Sequence, residues 1–347
     1  MKIVQFTDEV WDSGLSEYAL TLASALSDAG HESYFMARKN SHAALRAKTL
    51  NLKLLEFENK ITDTLKALRE IQPDIINAHT GSSHSCAVAL TAFLKKTAAI
   101  RTRADAREFQ LKPFSFLLWG RTNGFIAANS EILKQFRASK ANRIPSALIM
   151  QAVARPQTPP TPAQGAKLGL VARLDPVKGH ACAIRAMALI IKTHPDTKLL
   201  IAGEDKNVKA ADLKELAKQA GISANVEFYG RLPDVPAFMD GCALGLIPSL
   251  GSEAVSRGAL EWLSRGRPVI ASNVGGLADF VADGETGFIV PPGDERALAD
   301  AVLKLLGNAE IMRAFGEAGA AVYDKKFTPS VFARETEKFY REVLCTP

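Results

Sequence analysis

Residues 249–293 read SLGSEAVSRGALEWLSRGRPVIASNVGGLADFVADGETGFIVPPG. Glu253 and Glu261 stand here with seven residues between them. A loop rich in glycine and serine leads into a helix expected to open near Ser256. That helix carries Glu261 and ends at Gly266, because glycine readily takes the left-handed conformation that follows many helices. The apolar run at 268–271 then suits a buried strand, and the pair Gly275–Gly276 follows. A helix N-terminus gathers unpaired N–H groups and the positive end of the helix dipole, so it suits phosphate. An ionised carboxylate one turn further in suits a vicinal diol, since it accepts two hydrogen bonds at once. Phosphate beside a ribose diol means a nucleotide.

Working outward, residues 168–172, 198–202, 226–229, 243–247 and 288–290 are short apolar runs separated by helical stretches. Such alternation predicts a doubly wound sheet. The segment VARLDPVKGH, residues 171–180, sets Arg173 and Lys178 five apart just past a strand end, in a loop closed by Gly179. Sheets of this kind bind ligands at the carboxyl ends of their strands. Gly203–Glu204 and Gly230–Arg231 end two more strands and are expected to frame a base. Residues 154–166, ARPQTPPTPAQGA, hold prolines at 156, 159, 160 and 162, which no strand or helix interior tolerates. They are read as an interdomain linker. Ahead of it a second strand–helix series has strands at 2–6, 33–37, 73–79, 98–102 and 125–128. Its first helix spans 15–29 with Leu15, Leu22 and Leu26 on one face. Ser130 is expected to cap the helix after the last of these strands. His79 closes the strand at 73–79, where such folds place ligands. The expected divisions are therefore 1–153, the linker 154–166, 167–327, and a final helix within 328–347.

Several chemistries are absent. There is no G-x-G-x-x-G after a strand, no G-K-[ST] phosphate loop, no H-E-x-x-H, no D-x-D pair and no G-x-S-x-G elbow. The four cysteines, Cys86, Cys182, Cys242 and Cys345, are far apart without a C-x-x-C pair, as in a reducing cytoplasm. The opening MKIVQFTDEVW carries acids and no long apolar run, so no signal peptide is expected. No stretch reaches the roughly 18 apolar residues of a membrane helix.

In chain order, the two spaced glutamates, G-x-P-V-I-A-S at 266–272, the Gly–Gly pair and D-G-x-T-G-F-I-V-P-P-G-D at 283–294 resemble the retaining glycosyltransferases of family 4. The likeness continues at 171–180 and 14–31 and covers nearly the whole chain. It implies a GT-B fold: two doubly wound Rossmann-like domains facing a cleft, with the last helix packed back on the first. It implies a nucleotide-diphosphate sugar as donor substrate, no cofactor and no metal. Arg173 and Lys178 correspond to the family's pair at the diphosphate, where they act in catalysis. Glu253 would hold donor-sugar hydroxyls and Glu261 the ribose, while Ser256, Arg257 and Gly258 would present the helix start to the phosphates. Gly14 would approach the donor from the first domain. His79 corresponds to a strand-end histidine of the family and is assigned, with Arg101, Arg103 and Arg107, to the acceptor. The chain departs from the family at Ser13–Gly14, where a glycine pair is usual. It departs again at Ala104, where many members carry a histidine before the aspartate; this argues against a general base in that loop. Retention is usually explained by front-face attack assisted by the leaving phosphate, so no enzymic nucleophile is assigned. RTRADAR and SEAVSRGALE look most like transferases of lipopolysaccharide core or other cell-envelope glycans. Two other readings stay open: a phosphorylase or disaccharide-phosphate synthase on the same fold, and a sugar-nucleotide-binding module without turnover.

The charge is uneven. The chain carries +6 overall, and residues 95–143 alone hold 11 basic against 3 acidic side chains. Arg101 and Arg103 are two apart near a strand end and so share a face. An anionic glycan or glycolipid acceptor is expected there, with contact to the inner membrane from the cytoplasm and no nucleic-acid partner. The competing reading pairs these arginines with Asp105 and Glu108, shaping the loop alone.

Overall fold

A computed structural model describes residues 1–58, 61–111, 115–155, 157–161, 163, 165–251 and 253–346. The chain divides into two units, 1–153 with 327–347, and 154–326. The first contains β1 (Lys2–Thr7), β2 (Glu32–Arg38), β3 (Lys53–Phe57), β4 (Ile75–Ala78), β5 (Ala98–Arg103), β6 (Gly124–Ala127) and β7 (Ser146–Leu148). They form one parallel sheet in the order β3-β2-β1-β4-β5-β6-β7. The second contains β8 (Lys167–Val171), β9 (Lys198–Ala202), β10 (Val226–Gly230), β11 (Leu244–Ile247), β12 (Val269–Ser272) and β13 (Gly287–Val290). Its parallel order is β10-β9-β8-β11-β12-β13. Each sheet starts at its centre, runs to one edge, then returns to build the other side. The reversal leaves a crevice at the carboxyl ends of β1 and β4 in one unit and of β8 and β11 in the other.

The central strands are legible because both faces are covered. Every residue of β4, β6 and β12 is buried, so the apolar run is continuous rather than alternating. Two edge strands escaped the sequence reading. β3 (KLLEF) is largely half-exposed, and β7 has three residues. Helix ends follow short-range chemistry. Ser13 caps the helix Gly14–Asp28 by accepting from the Ser16 N–H. Asn129, not Ser130, caps Ser130–Ala138: its Oδ1 accepts from Ile132 N at 2.8 Å, and Ser130 becomes the first helical residue.

The C-terminal helix, Pro329–Cys345, belongs to the first unit. Tyr340 is fully buried, and its hydroxyl accepts from Asn77 Nδ2 at 2.9 Å and Gln5 Nε2 at 3.1 Å. Two residues of the proline-rich segment, Thr158 and Thr161, are hydrogen-bonded to arginines of the second unit. Arg265, 2% exposed, donates to the Thr158 carbonyl at 2.6 Å while gripping Asp240. Arg267 donates to the Thr161 carbonyl. Pro156, Pro162 and Gln164 of the expected linker lie outside the described residues. No helix among the described residues is long and apolar enough to cross a membrane.

Candidate active site

At the switch point of the second sheet, β8 ends and the chain carries Arg173 to an exposed position. It then turns through a single 3-10 turn, Pro176–Lys178, capped by Asp175, whose carboxylate accepts from Val177 N at 3.1 Å. From the neighbouring β11 the chain runs through Pro248 and Ser249 to Glu253. A cavity of about 180 Å³ opens between these segments, lined by Lys178, Ser249, Glu253, Ser256 and Arg257 among others. Lys178 Nζ donates to Glu253 Oε1 at 2.5 Å, and Ser249 Oγ donates to the same oxygen at 2.7 Å. Glu253 is 4% exposed, and these two donors hold a carboxylate that burial would otherwise penalise. Its backbone is gripped as well. Gly276 N donates to the Glu253 carbonyl at 2.7 Å, and at Gly275, φ +57°, a Cβ would stand 2.3 Å from that oxygen. That close approach explains a glycine pair so far along the chain from the glutamate it holds.

The helix Arg257–Ser264 follows. Its first-turn N–H groups precede the first intrahelical bond, from Leu260 N to the Ser256 carbonyl at 3.4 Å. One residue fixes how near the helix comes to the sheet. Trp262, 1% exposed, lies over Gly169 of β8 and Gly245 of β11, where a Cβ would come within 2.4 Å of the ring. Glycine at these two strand positions lets the helix seat against the switch point. Glu261 sits on the partly exposed face of the helix, its Oε1 accepting from Arg257 Nε at 2.7 Å. A second hollow, about 260 Å³, is lined by Arg173, Gly203, Glu204, Gly230 and Arg231. It shares Val171 and Ala172 with the first, so one groove crosses the ends of β10, β9, β8 and β11. Larger hollows of about 490 and 540 Å³ open beside β3 and beside Arg267, away from either switch point.

The first switch point is built otherwise. His79 follows β4 and is completely buried, with Nε2 2.8 Å from Gln5 Oε1. That oxygen also accepts from Asn77 Nδ2 at 3.0 Å, which assigns the ring proton to Nε2. Burial, and then the charge of Arg101, pushes the His79 pKa down to about 3. His84, held by Thr122 Oγ1 at 2.9 Å, is lowered to about 3 for the same reasons. Arg101 and Arg103 are each 7% exposed and turn inward. Arg101 Nη1 donates to the carbonyls of Ala78 at 3.1 Å and of Thr102. Arg103 forks onto Asp105 with two contacts of 3.2 Å, donates to the Glu108 carbonyl at 3.0 Å and to that of Arg107, and lies over the Phe109 ring.

At this loop Arg103 is paired with Asp105, as in the competing reading of the basic stretch. His79, Arg101 and Arg103 face the interior: strand-end carbonyls and Asp105 take the guanidinium N–H groups, Gln5 holds His79 Nε2, and His79 Nδ1 is buried with no hydrogen-bond partner among the described residues. Arg107 alone of the four is exposed. Elsewhere in the basic stretch, Lys95 and Lys96 precede β5, Arg121 precedes β6 and Arg143 precedes β7, at the amino ends of the strands and away from the crevice. Gly14 opens its helix and is exposed in the loop after β1. Sequence reasoning missed Ser249, the Asp175 cap and the buried Gln5–Asn77–Tyr340 network. Ser249 had a signal, since a hydroxyl just past a strand end beside a glycine loop is poised to hydrogen-bond; the network joins residues far apart in sequence and had none.

Residues 156–322 match the family "Glycosyl transferases group 1". A phosphatidyl-myo-inositol mannosyltransferase of Mycobacterium leprae (strain TN) is 30% identical over 210 residues, 59% of this chain and 54% of that protein. The chain thus spans about half the length of that relative. Among solved structures, Anabaena Alr3699/HepE in complex with UDP superposes with a TM-score of 0.84 at 16% identity, covering 99% of this chain and 100% of that one. The lipopolysaccharide outer core galactosyltransferase WaaB, in its apo form, gives 0.77 at 16% identity over 99% of both chains. With two parallel sheets of the same switch-point order and these likenesses, the chain has the GT-B fold, and residues 156–322 resemble the glycosyl transferases of group 1.

Proposed function

We propose that the chain is a retaining, metal-independent glycosyltransferase. It moves a sugar from a nucleotide-diphosphate donor to a cell-envelope glycan, with lipopolysaccharide core as the acceptor class. One observation carries the reading: the loops after β8 and β11 and the start of the Arg257–Ser264 helix converge on a single groove at the second switch point. In that groove the base would lie between Gly203–Glu204 and Gly230–Arg231. Glu261 would take the ribose hydroxyls. The diphosphate would meet the helix start, Ser256 to Gly258, with Arg173 and Lys178 beside it. The sugar would reach Glu253. As the glycosidic bond breaks, negative charge grows on the leaving diphosphate, and pre-placed cations and N–H groups stabilise it. The leaving phosphate then assists attack on the same face of the sugar, so the chain need supply no nucleophile.

The acceptor would bind through the first unit, with Arg107 the remaining exposed arginine of the strand-end loop. Names among the similar proteins, a phosphatidyl-myo-inositol mannosyltransferase and a lipopolysaccharide outer core galactosyltransferase, support an envelope acceptor.

The first test is a melting screen with UDP-, GDP- and ADP-sugars. A ligand at 100 times its dissociation constant adds about 2.7 kcal/mol, so one set should raise the melting temperature clearly. No stabilisation by any nucleotide sugar would overturn the reading. Product anomeric configuration then checks retention by NMR. Turnover should survive excess EDTA; activity lost in EDTA and restored by Mg²⁺ or Mn²⁺ would overturn metal independence.

A further inference from the structure

We propose that Glu253, fixed in place by Ser249, competes with the donor's diphosphate for Lys178 and so promotes release of the nucleoside diphosphate once the sugar has gone. The proposal rests on the nucleotide-sugar reading above. Three observations lead to it. Lys178 Nζ lies 2.5 Å from Glu253 Oε1, so the lysine placed beside the diphosphate has a second anionic partner within reach. The carboxylate cannot follow the lysine. Ser249, 1% exposed, ties the same oxygen at 2.7 Å, and Gly276 N, with Gly275 closing the loop, holds the Glu253 backbone. Lysine, by contrast, is a point charge on a flexible four-carbon stem and can turn between two acceptors.

The two partners therefore exchange one cation. While the intact donor is bound, sugar hydroxyls donate to the Glu253 carboxylate, which weakens its pull and leaves Lys178 to the diphosphate. After transfer the hydroxyls leave, Glu253 regains the full attraction of the ammonium, and the diphosphate is held less tightly. Both oxygens of a carboxylate accept, so Ser249 and a sugar hydroxyl can be served together. A purely structural Glu253 would act differently: its loss would weaken every ligand of the site. The exchange predicts effects of opposite sign.

The test is calorimetric titration of the purified full chain with UDP, GDP and ADP, and with UDP-glucose, GDP-mannose and ADP-glucose. The wild type chooses the base. Glu253→Gln should bind that free nucleoside diphosphate about tenfold tighter and its sugar conjugate more weakly than the wild type does. Ser249→Ala, which loosens the carboxylate, should tighten the free diphosphate about threefold, the size of one modest hydrogen bond. Ser249→Thr should match the wild type. In a Lys178→Gln background the Glu253→Gln effect should vanish, as a double-mutant cycle requires for a shared partner. A folded Glu253→Gln protein that binds the free diphosphate equally or more weakly overturns the proposal, as does tightening that persists without Lys178. Should Glu253→Gln fail to fold, Ser249→Ala decides: unchanged or weaker diphosphate binding overturns it. A wild type that binds none of the three diphosphates overturns the nucleotide-sugar reading itself.

Discussion

The switch points of the two sheets share a strand order and differ in what stands at their rims. At the end of β8 and β11, charged groups line a groove: Lys178 and Glu253 meet in it, and Arg173 and Glu261 remain partly or wholly exposed. At the end of β4 and β5, His79, Arg101 and Arg103 point inward and are hydrogen-bonded there, with His79 Nδ1 left buried and unpartnered among the described residues. His79, Arg101 and Arg103 are buried, and Tyr340 from the C-terminal helix completes the network. A doubly wound sheet opens a crevice at its switch point by topology alone. Side-chain direction then decides whether that crevice takes a ligand or is sealed. The sealed rim has a cost, because buried histidines must stay neutral. The open one has another, because its carboxylate needs two donors to stay in place.

The sharpest way to break the comparison is Glu261→Ala at the open rim. Hydrogen bonds to a charged group are worth about 1.5–3 kcal/mol each. Losing two predicts a fall in kcat/KM on the order of 10²–10⁴. Near-wild-type kinetics in a folded variant would remove Glu261 from the donor site. Trp262→Ala probes what brings the helix start to the sheet. It should destabilise the second unit by about 3–5 kcal/mol, and donor affinity should fall with it; unfolding in urea reads the first and titration the second.

At the sealed rim, Arg103→Ala should reduce stability by about 1.5–3 kcal/mol. Acceptor KM and its salt dependence should change little. A raised KM with stability intact, copied by added salt, would instead open this rim to an anionic acceptor. The smallest effect is on acid stability. His79 and His84 have folded pKa values near 3 against 6.5 for the unreacted side chain. The unfolded chain therefore binds protons first. Their contribution is complete above the ordinary histidine pKa and is lost as pH falls toward 3, with about 2 kcal/mol per histidine gone by pH 5. His79→Gln keeps a donor for Gln5 and cannot titrate, so it should flatten the slope of unfolding free energy between pH 5 and 7. An unchanged slope would mean that His79 is not held neutral by burial.

Much of this was written locally in the chain. The central strands of both sheets, the helix carrying Glu261, and the cluster Arg173, Lys178, Glu253, Ser256 and Glu261 could be read from short motifs. Continuous apolar runs identify strands covered on both faces, and glycines mark turns and close approaches within a few residues. The edge strands β3 and β7 could not be read, since an edge is stabilised by one neighbour and needs little apolar sequence of its own. The cap at Asn129 was misplaced by one residue because serine and asparagine both cap helices and only the backbone chooses between them.

What the sequence by itself determined was the order of elements and the chemical inventory of the site. What only the tertiary structure decided was direction. Arg101 and Arg103 read either as a basic face or as partners of Asp105 and Glu108, and the fold turns them inward onto strand-end carbonyls and Asp105, because a buried guanidinium must have its N–H groups met. Gly275 and Glu253 are far apart in sequence yet in contact, as are Lys178 and Glu253. Periodicity and motif spacing act over a turn or two of chain. The packing that joins Lys178 to Glu253 and Tyr340 to Asn77 spans tens to hundreds of residues, and no local pattern records it.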